Sequence, residues 1–223
     1  MGLEIRAVIF DLDGVITDTA NFHYKAWKQL ADELGIYFDE MMNESLKGVD
    51  RMGSLEKVLE GGDRTYSAEE KAALADRKNE YYKELIHTMA PSNILPGVLE
   101  VLKLLKEKGI RIGLASVSKN AFTVIDKLGI RDYFDYVADA AKIKKGKPDP
   151  EIFLKVAENL GIDVKHCIGV EDAEAGIRAI KSANMYAIGI GDRRILHQAD
   201  DVIKGLDAFN LDRYVELFEH MPA

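Results

Sequence analysis

The chain alternates short apolar runs with segments in which apolar residues recur every three or four positions. Residues 97–109 are typical of these segments, because Val98, Val101, Leu102 and Leu105 fall on one helix face. Similar patterns predict helices over residues 119–128, 149–160 and 173–183. The apolar runs predict strands over residues 6–10, 110–115, 136–138, 166–170 and 186–190, with a weaker edge strand at 201–203. This alternation predicts an α/β fold with a doubly wound, mostly parallel, Rossmann-like sheet.

A long helical interval separates the first two predicted strands. Helical patterns cover residues 22–34, 52–59 and 68–86. Since a simple crossover needs only about a dozen residues, we expect an inserted helical cap domain over residues 18–90. The core would then comprise residues 1–17 and 91–223, with a proline-containing return linker at 90–97 and one or two helices within 207–221.

Composition narrows the class of protein. The 223 residues are 47% apolar and 30% charged, which supplies a core and argues against disorder. The formal net charge of −8 disfavours binding to nucleic acid, although a locally positive pocket could still hold a phosphorylated small molecule. No apolar stretch approaches the length of a membrane span, and the N-terminus lacks a secretory pattern. The single cysteine, Cys167, excludes an internal disulfide. We therefore expect a cytoplasmic monomer with no membrane or nucleic-acid partner.

The strongest chemical signal is the pair Asp11 and Asp13, directly after the first predicted strand. Residues two apart in an extended chain project to the same side, so both carboxylates can face one site. Ligands of open α/β sheets bind beyond the carboxyl ends of the strands, where this pair falls. The alternative is an Asx turn that closes the strand. An EF-hand fits poorly, since glycine follows Asp13 and the later ligands are missing.

Three other predicted strand ends carry polar groups. Ser116 follows residues 110–115, Glu171 and Asp172 follow 166–170, and Lys147 lies in the connection after 136–138. Each group has an alternative explanation: a turn serine, a helix N-cap aspartate and a solvated lysine in a basic run. Their order at successive strand ends of one sheet favours a common site.

This ordered set resembles the haloacid dehalogenase-like phosphotransferases, and within them the segments 10–20, 45–51, 115–120, 147–153 and 169–177 resemble those of sugar-phosphate mutases. The resemblance implies that Asp11 is a nucleophile that forms an aspartyl phosphate, and that Asp13 is the general acid and base. Ser116 and Lys147 would balance charge on the transferring phosphoryl group. The resemblance also implies a cis Lys147–Pro148 bond. Mg²⁺ would be held by Asp11, Asp13 (through its carbonyl), Glu171 and Asp172.

The same resemblance assigns further residues to the site. Thr19 and His23 would assist catalysis, although His23 alone would be taken for a packed helix histidine. Arg51 would grip the second phosphate of a sugar bisphosphate, the alternative being a solvated arginine. Trp27, spaced at three from Tyr24 and Leu30, also fits a plain core stripe. The substrate-binding set implied by the resemblance is Lys47, Gly48, Val49, Arg51, Val117, Ser118, Lys119, Asn120, Lys78 and Trp27.

The resemblance implies a reaction, and two rivals remain at this point. The implied reaction interconverts β-D-glucose 1-phosphate and β-D-glucose 6-phosphate through a β-glucose 1,6-bisphosphate. One rival is a Mg²⁺-dependent sugar-phosphate phosphatase, in which water replaces the sugar hydroxyl as acceptor. The other is a signalling receiver domain, which also gathers acids, a hydroxyl and a lysine around Mg²⁺. The helical insertion after the first strand and the spacing of Asp11 and Asp13 argue against a receiver.

Overall fold

A parallel sheet forms the centre of the protein. The computed structural model describes residues 4–46 and 49–220. Within these ranges the sheet has six strands in the order β3-β2-β1-β4-β5-β6, and every neighbouring pair is parallel. The strands are β1 (Ala7–Phe10), β2 (Arg111–Leu114), β3 (Tyr136–Val137), β4 (Cys167–Glu171), β5 (Tyr186–Ile190) and β6 (Asp201–Ile203). The predicted fold class is confirmed.

Helices cover both faces of this sheet, which explains why its central strands are continuously apolar. Every residue of β1 is fully buried. On one face Val8 and Phe10 join a core that includes Leu102, while on the other Ala7 and Ile9 pack with Phe153 and Ile180. The helices outside the long interval are α5 (Val98–Glu107), α6 (Ala121–Lys127), α7 (Glu151–Leu160), α8 (Glu174–Ser182) and α9 (Leu211–Glu219). Cys167 is buried in β4, as its apolar neighbours predict.

The interval after β1 is helical. It contains α1 (Ala20–Glu33), α2 (Glu40–Glu44), α3 (Arg51–Leu59) and α4 (Ala68–Ile86), which we call together the helical segment. Its own apolar cluster includes Trp27, Leu30 and Leu55, so the predicted core stripe on α1 is confirmed for its buried members. A capping box between Ser67 and Glu70 begins α4. The sequence did not predict α2, because five residues are too few to show a helical period.

The strand order changes direction beside β1, which pairs with β2 on one side and β4 on the other. A crevice therefore opens beyond the carboxyl end of β1, where ligands of such sheets bind. The helical segment leaves the sheet at this point. No helix in residues 4–46 and 49–220 is both long and apolar enough to cross a membrane.

Candidate active site

The carboxyl ends of β1, β2 and β4 bring three predicted groups to one place. The amide of Asp11 donates to the carbonyl of Val170 at 2.9 Å, and the amide of Ala115 donates to that of Phe10 at 2.8 Å. This register sets Asp11, Ser116 and Glu171 at the same edge of the sheet, and all three are buried. The order of polar groups along the sequence thus corresponds to one cluster in space.

Lys147 lies between two carboxylates. Its ammonium nitrogen is 2.6 Å from Oδ1 of Asp11 and 2.6 Å from Oε1 of Glu171. The Lys147–Pro148 bond is cis, and Glu151 binds the preceding loop by accepting two backbone N–H groups. Burial lowers the pKa of Lys147, but the two carboxylates outweigh burial and leave that pKa above its usual value. Lys147 is therefore a buried cation, and the alternative of a solvated lysine is wrong.

Asp11 and Asp13 share the cavity but have different contacts. The amide of Asp13 donates to Oδ2 of Asp11 at 3.1 Å, so the Asx turn is present together with the lysine contact. Burial raises the pKa of Asp11, and Lys147 opposes that shift. Burial also raises the pKa of Asp13, against the hydrogen bond that the Thr19 hydroxyl donates to its Oδ1. A carboxyl group with a raised pKa suits a residue that both gives and takes a proton.

Three carboxylates could hold a cation together. Oxygen atoms of Asp11, Glu171 and Asp172 all lie within 4.8 Å of one another. Two glycines allow the backbone to approach these carboxylates closely. A Cβ at Gly14 would lie 2.1 Å from Oδ2 of Asp172, and a Cβ at Gly176 would lie 1.9 Å from Oε1 of Glu171. An all-oxygen set with carboxylate ligands fits a hard divalent cation.

Asp172 is not the N-cap residue of α8, contrary to the alternative left open by the sequence. The N-cap of α8 is Ala173, which has no side-chain cap. The amide of Ala173 instead donates to Oε2 of Glu171 at 2.8 Å, which fixes that carboxylate beside Asp172. The acidic pair is thus built into the strand end and not into the helix start.

A cavity of about 470 Å³ lies between the sheet edge and the helical segment. Ser116 and Lys147 are buried and are not among the described residues that line it; the Ser116 hydroxyl accepts from the amide of Ser118 at 3.1 Å. Lys47 and Gly48 lie outside the described residues. The other predicted site residues line the cavity: Asp11, Asp13, Thr19, His23, Trp27, Val49, Arg51, Lys78, Val117, Ser118, Lys119, Asn120, Glu171 and Asp172.

The helical wall of the cavity carries an unusual lysine. Lys78 is only 4% exposed, and its nitrogen lies 2.8 Å from Nδ1 of His23 and 4.6 Å from the centre of the Trp27 ring. Burial, with a further effect from the Arg51 cation, lowers the pKa of Lys78 to about 7. Burial, then Lys78 and Arg51, hold the pKa of His23 well below its usual value. His23 is therefore a neutral imidazole, and Lys78 is an amine that loses its proton readily.

Arg51 is half-buried and makes specific contacts, so a freely solvated arginine is the wrong description. Its Nη2 donates to Oδ1 of Asn79 at 2.8 Å, and its Nη1 lies 3.8 Å from Asp76. Burial lowers the pKa of Arg51, and an arginine guanidinium keeps its charge in proteins. The helical wall thus presents the Arg51 guanidinium together with the carboxylates of Asp50 and Asp76, while the sheet edge presents Asp11, Glu171 and Asp172.

Tyr82 and Asn79 are among the residues of this wall that sequence reasoning missed. Tyr82 stacks on His23 with ring centroids 4.2 Å apart, and its ring lies 4.9 Å from the nitrogen of Lys78. Its spacing of four from Lys78 on a helix was an available signal. Asn79 had no comparable signal beyond being a poor helix former inside α4.

A sequence profile described as haloacid dehalogenase-like hydrolase matches residues 5–184. The chain belongs to this family. It is 46% identical over 217 residues to a β-phosphoglucomutase of Bacillus subtilis, with 96% of each chain covered. It is also 32% identical over 187 residues to a phosphorylated carbohydrates phosphatase of Thermotoga maritima, covering 82% of this chain and 84% of that one.

A solved structure has the same fold as this chain. The crystal structure of a β-phosphoglucomutase from Clostridium difficile superimposes with a TM-score of 0.92 at 49% sequence identity. The match covers 96% of this chain and 97% of that chain. The helical segment and the sheet are therefore arranged as in that β-phosphoglucomutase, and the family assignment predicted from the motifs is confirmed.

Proposed function

We propose that the protein is a β-phosphoglucomutase, an isomerase that interconverts β-D-glucose 1-phosphate and β-D-glucose 6-phosphate. One observation carries the proposal: Asp11, paired with the buried Lys147, lies at one wall of the cavity, and Arg51 lies at the other. Such a cavity suits a sugar with phosphate at both ends. The relatives from Bacillus subtilis and Clostridium difficile, both named β-phosphoglucomutase, support this choice.

Asp11 is the proposed nucleophile. A carboxylate oxygen of Asp11 attacks phosphorus, the bond from phosphorus to the sugar oxygen breaks, and Asp13 protonates that departing oxygen. This half converts β-glucose 1,6-bisphosphate to glucose 6-phosphate and leaves the phosphoryl group on Asp11. In the second half, Asp13 removes the proton from the 6-hydroxyl of a β-D-glucose 1-phosphate molecule, whose oxygen attacks the aspartyl phosphate, breaks its bond to the Asp11 carboxylate and forms the bisphosphate. The bisphosphate is the species passed between the halves. Lys147 and Ser116 stabilise charge on the transferring oxygens.

The acid–base residue has its own support. Thr19 orients the Asp13 carboxyl group through the hydrogen bond that it donates to Oδ1. His23 and Lys78 face the cavity next to it and are placed to hydrogen-bond sugar hydroxyls. The ring of Trp27 borders the same space. These contacts would fix which hydroxyl approaches Asp13.

The phosphate that is not being transferred needs a separate subsite, which we call the distal phosphate subsite. We assign it to Arg51 on the helical wall and to Ser118, Lys119 and Asn120 on the core side. Arginine suits this role because its planar fork binds phosphate oxygens in pairs. Val49 and Val117 would close the apolar sides. Lys47 and Gly48 stay predictions of the sequence.

The proposed cofactor is Mg²⁺. Asp11, Asp172, Glu171 and the backbone carbonyl of Asp13 would hold it, and the oxygen donors of the carboxylate cluster fit that ion. When bound, it would reduce the repulsion between the Asp11 carboxylate and an anionic phosphate. We also propose that residues 18–90 act as a cap domain on a core of 1–17 and 91–223, excluding water during transfer. A monomeric, cytoplasmic protein stays a prediction from the sequence.

A direct assay tests the function. Purified protein is incubated with β-D-glucose 1-phosphate, Mg²⁺ and a trace of β-glucose 1,6-bisphosphate, and both glucose 6-phosphate and inorganic phosphate are measured. We expect glucose 6-phosphate in many-fold excess over phosphate. The Asp11→Asn variant should form none, while Asp126→Asn, at an exposed aspartate of α6, should resemble the wild type.

A sugar-phosphate phosphatase is the second candidate, favoured by the relative from Thermotoga maritima. The same core chemistry serves both activities, because only the acceptor of the phosphoryl group differs. Stoichiometric release of inorganic phosphate without glucose 6-phosphate would reject the mutase and favour the phosphatase.

A further inference from the structure

One amide oxygen joins the two walls of the cavity. Oδ1 of Asn79, on α4, accepts from Nδ2 of Asn120 at 2.8 Å and from Nη2 of Arg51 at 2.8 Å. Asn120 is the N-cap residue of α6 and belongs to the core side, while Arg51 begins α3 in the helical segment. The contact therefore bridges α3 and α4 of the helical segment to α6 of the core.

The hydrogen bond between Asn79 and Asn120 is buried, and its burial favours one arrangement of the two walls. Asn79 and Asn120 are each 9% exposed, and the hydrogen bond between them is buried. A buried polar group that loses its partner cannot fully replace it with water, so such a contact favours one arrangement of its elements. Movement of the helical segment away from the core would break the bond from Asn120 while leaving the bond from Arg51 within the segment.

The chemistry of the acceptor is also informative. Asn79 binds the guanidinium through a neutral oxygen, and the nearest carboxylate of Arg51, on Asp76, is 3.8 Å away and 80% exposed. A neutral acceptor orients Arg51 without cancelling its charge, which stays available for an anionic ligand. A carboxylate in the same place would compete with phosphate for the guanidinium.

We propose that Asn79 is a positioning residue that couples orientation of Arg51 to closure of the helical segment over the core through Asn120. The inference rests on the proposed function, because it takes Arg51 and Asn120 to bind the distal phosphate. Asn79 itself transfers nothing. It holds the two halves of the distal phosphate subsite at one distance and keeps water from the aspartyl phosphate while the sugar is bound.

Two substitutions separate the parts of this role. Asn79→Ala removes both hydrogen bonds, so we expect KM for β-D-glucose 1-phosphate to rise about 10- to 100-fold and the yield of inorganic phosphate per glucose 6-phosphate to rise with it. Asn79→Asp keeps an acceptor of the same size but adds charge beside Arg51. It should raise KM while leaving the ratio of phosphate to glucose 6-phosphate near the wild-type value. Asn159→Ala, at an exposed helical asparagine of α7, is the matched control.

A double-mutant cycle completes the test. The effects of Asn79→Ala and Asn120→Ala on KM should be strongly non-additive, because each removes the same bond. Additive effects, or an Asn79→Ala variant with wild-type KM and product ratio, would overturn the inference. If Asn79→Ala does not fold, a wild-type KM in the Asn79→Asp variant would likewise overturn the inference. Absence of glucose 6-phosphate from the wild-type enzyme would instead reject the proposed function and, with it, this inference.

Discussion

The ammonium nitrogen of Lys147 lies 2.6 Å from Oδ1 of Asp11, and 136 positions separate the two residues in the chain. The same nitrogen also contacts Glu171, so one cation sits between two buried carboxylates. The contact joins the end of β1 to the loop before α7. It explains how a carboxylate can stay buried at a site built to receive another anion.

Replacing Lys147 by alanine should damage both activity and stability. Two buried carboxylates would lose their cation, which costs about 3–5 kcal/mol in the free energy of unfolding for a broken buried pair. Glucose 6-phosphate formation should fall by orders of magnitude, since charge on the transferring group is no longer balanced. Urea unfolding and the mutase assay measure the two losses. Lys181→Ala, which removes a half-exposed ion pair with Asp200, serves as the control; equal effects of both variants would contradict the role of Lys147.

Replacing Arg51 by lysine should weaken substrate binding although the charge is kept. An ammonium group cannot reproduce the paired contacts of the guanidinium fork, so we expect KM to rise about 10- to 100-fold with a smaller change in kcat. Steady-state kinetics with β-D-glucose 1-phosphate measure both constants. The comparison variant is Arg64→Lys, at an exposed arginine between α3 and α4. A wild-type KM in Arg51→Lys would remove Arg51 from the distal phosphate subsite.

The buried amine of Lys78 should make stability depend on pH. Its pKa is lowered from 10.5 to about 7 by burial first and then by Arg51, so between these values the unfolded chain binds a proton that the folded chain does not. Stability from this group therefore rises with pH, by up to about 1.4 kcal/mol per pH unit. Groups facing the amine include His23, Arg51 and Asp13.

Urea unfolding at pH 7 and pH 9 isolates this contribution. The gain in stability between the two values should be smaller in Lys78→Met than in the wild type, because methionine does not titrate. Lys83→Met, at an exposed lysine of the same helix, should keep the wild-type difference. An identical gain in wild type and Lys78→Met would show that the amine keeps an ordinary pKa.

Removing divalent metal should abolish turnover reversibly. Treatment with a chelator should eliminate glucose 6-phosphate formation, and added Mg²⁺ should restore it, because the Asp11 carboxylate and phosphate repel each other. In Asp172→Ala the Mg²⁺ concentration for half-maximal activity should rise by about tenfold or more. Glu174→Gln, at an exposed acid two residues later, should not shift it. Full activity in chelator would reject metal dependence.

The sheet could be predicted from sequence because its signals are local. Runs such as residues 6–10 are apolar throughout, since both faces of a parallel strand are buried, and β1 follows that run to within one residue. The polar residues at strand ends could be grouped because parallel strands deliver them to one edge. Asp11, Ser116 and Glu171 meet there for that reason.

The helical wall was harder to predict because its contacts depend on packing. The bond between Asn79 and Asn120 spans 41 residues and leaves no periodic trace in either segment. The low pKa of Lys78 arises from burial, which a lysine in a helix rich in charged residues does not signal. Only the resemblance indicated Lys78 and His23, and nothing in the sequence showed that they contact each other.

Position 176 offers a practical consequence. A single methyl group there would collide with the Glu171 carboxylate, 1.9 Å away, and thereby push apart the acids around Asp172. Codon randomisation at this position, scored by glucose 6-phosphate formation from β-D-glucose 1-phosphate, should return glycine alone among active clones. A residue without any reactive group would then restrict the evolution of the enzyme as tightly as its nucleophile.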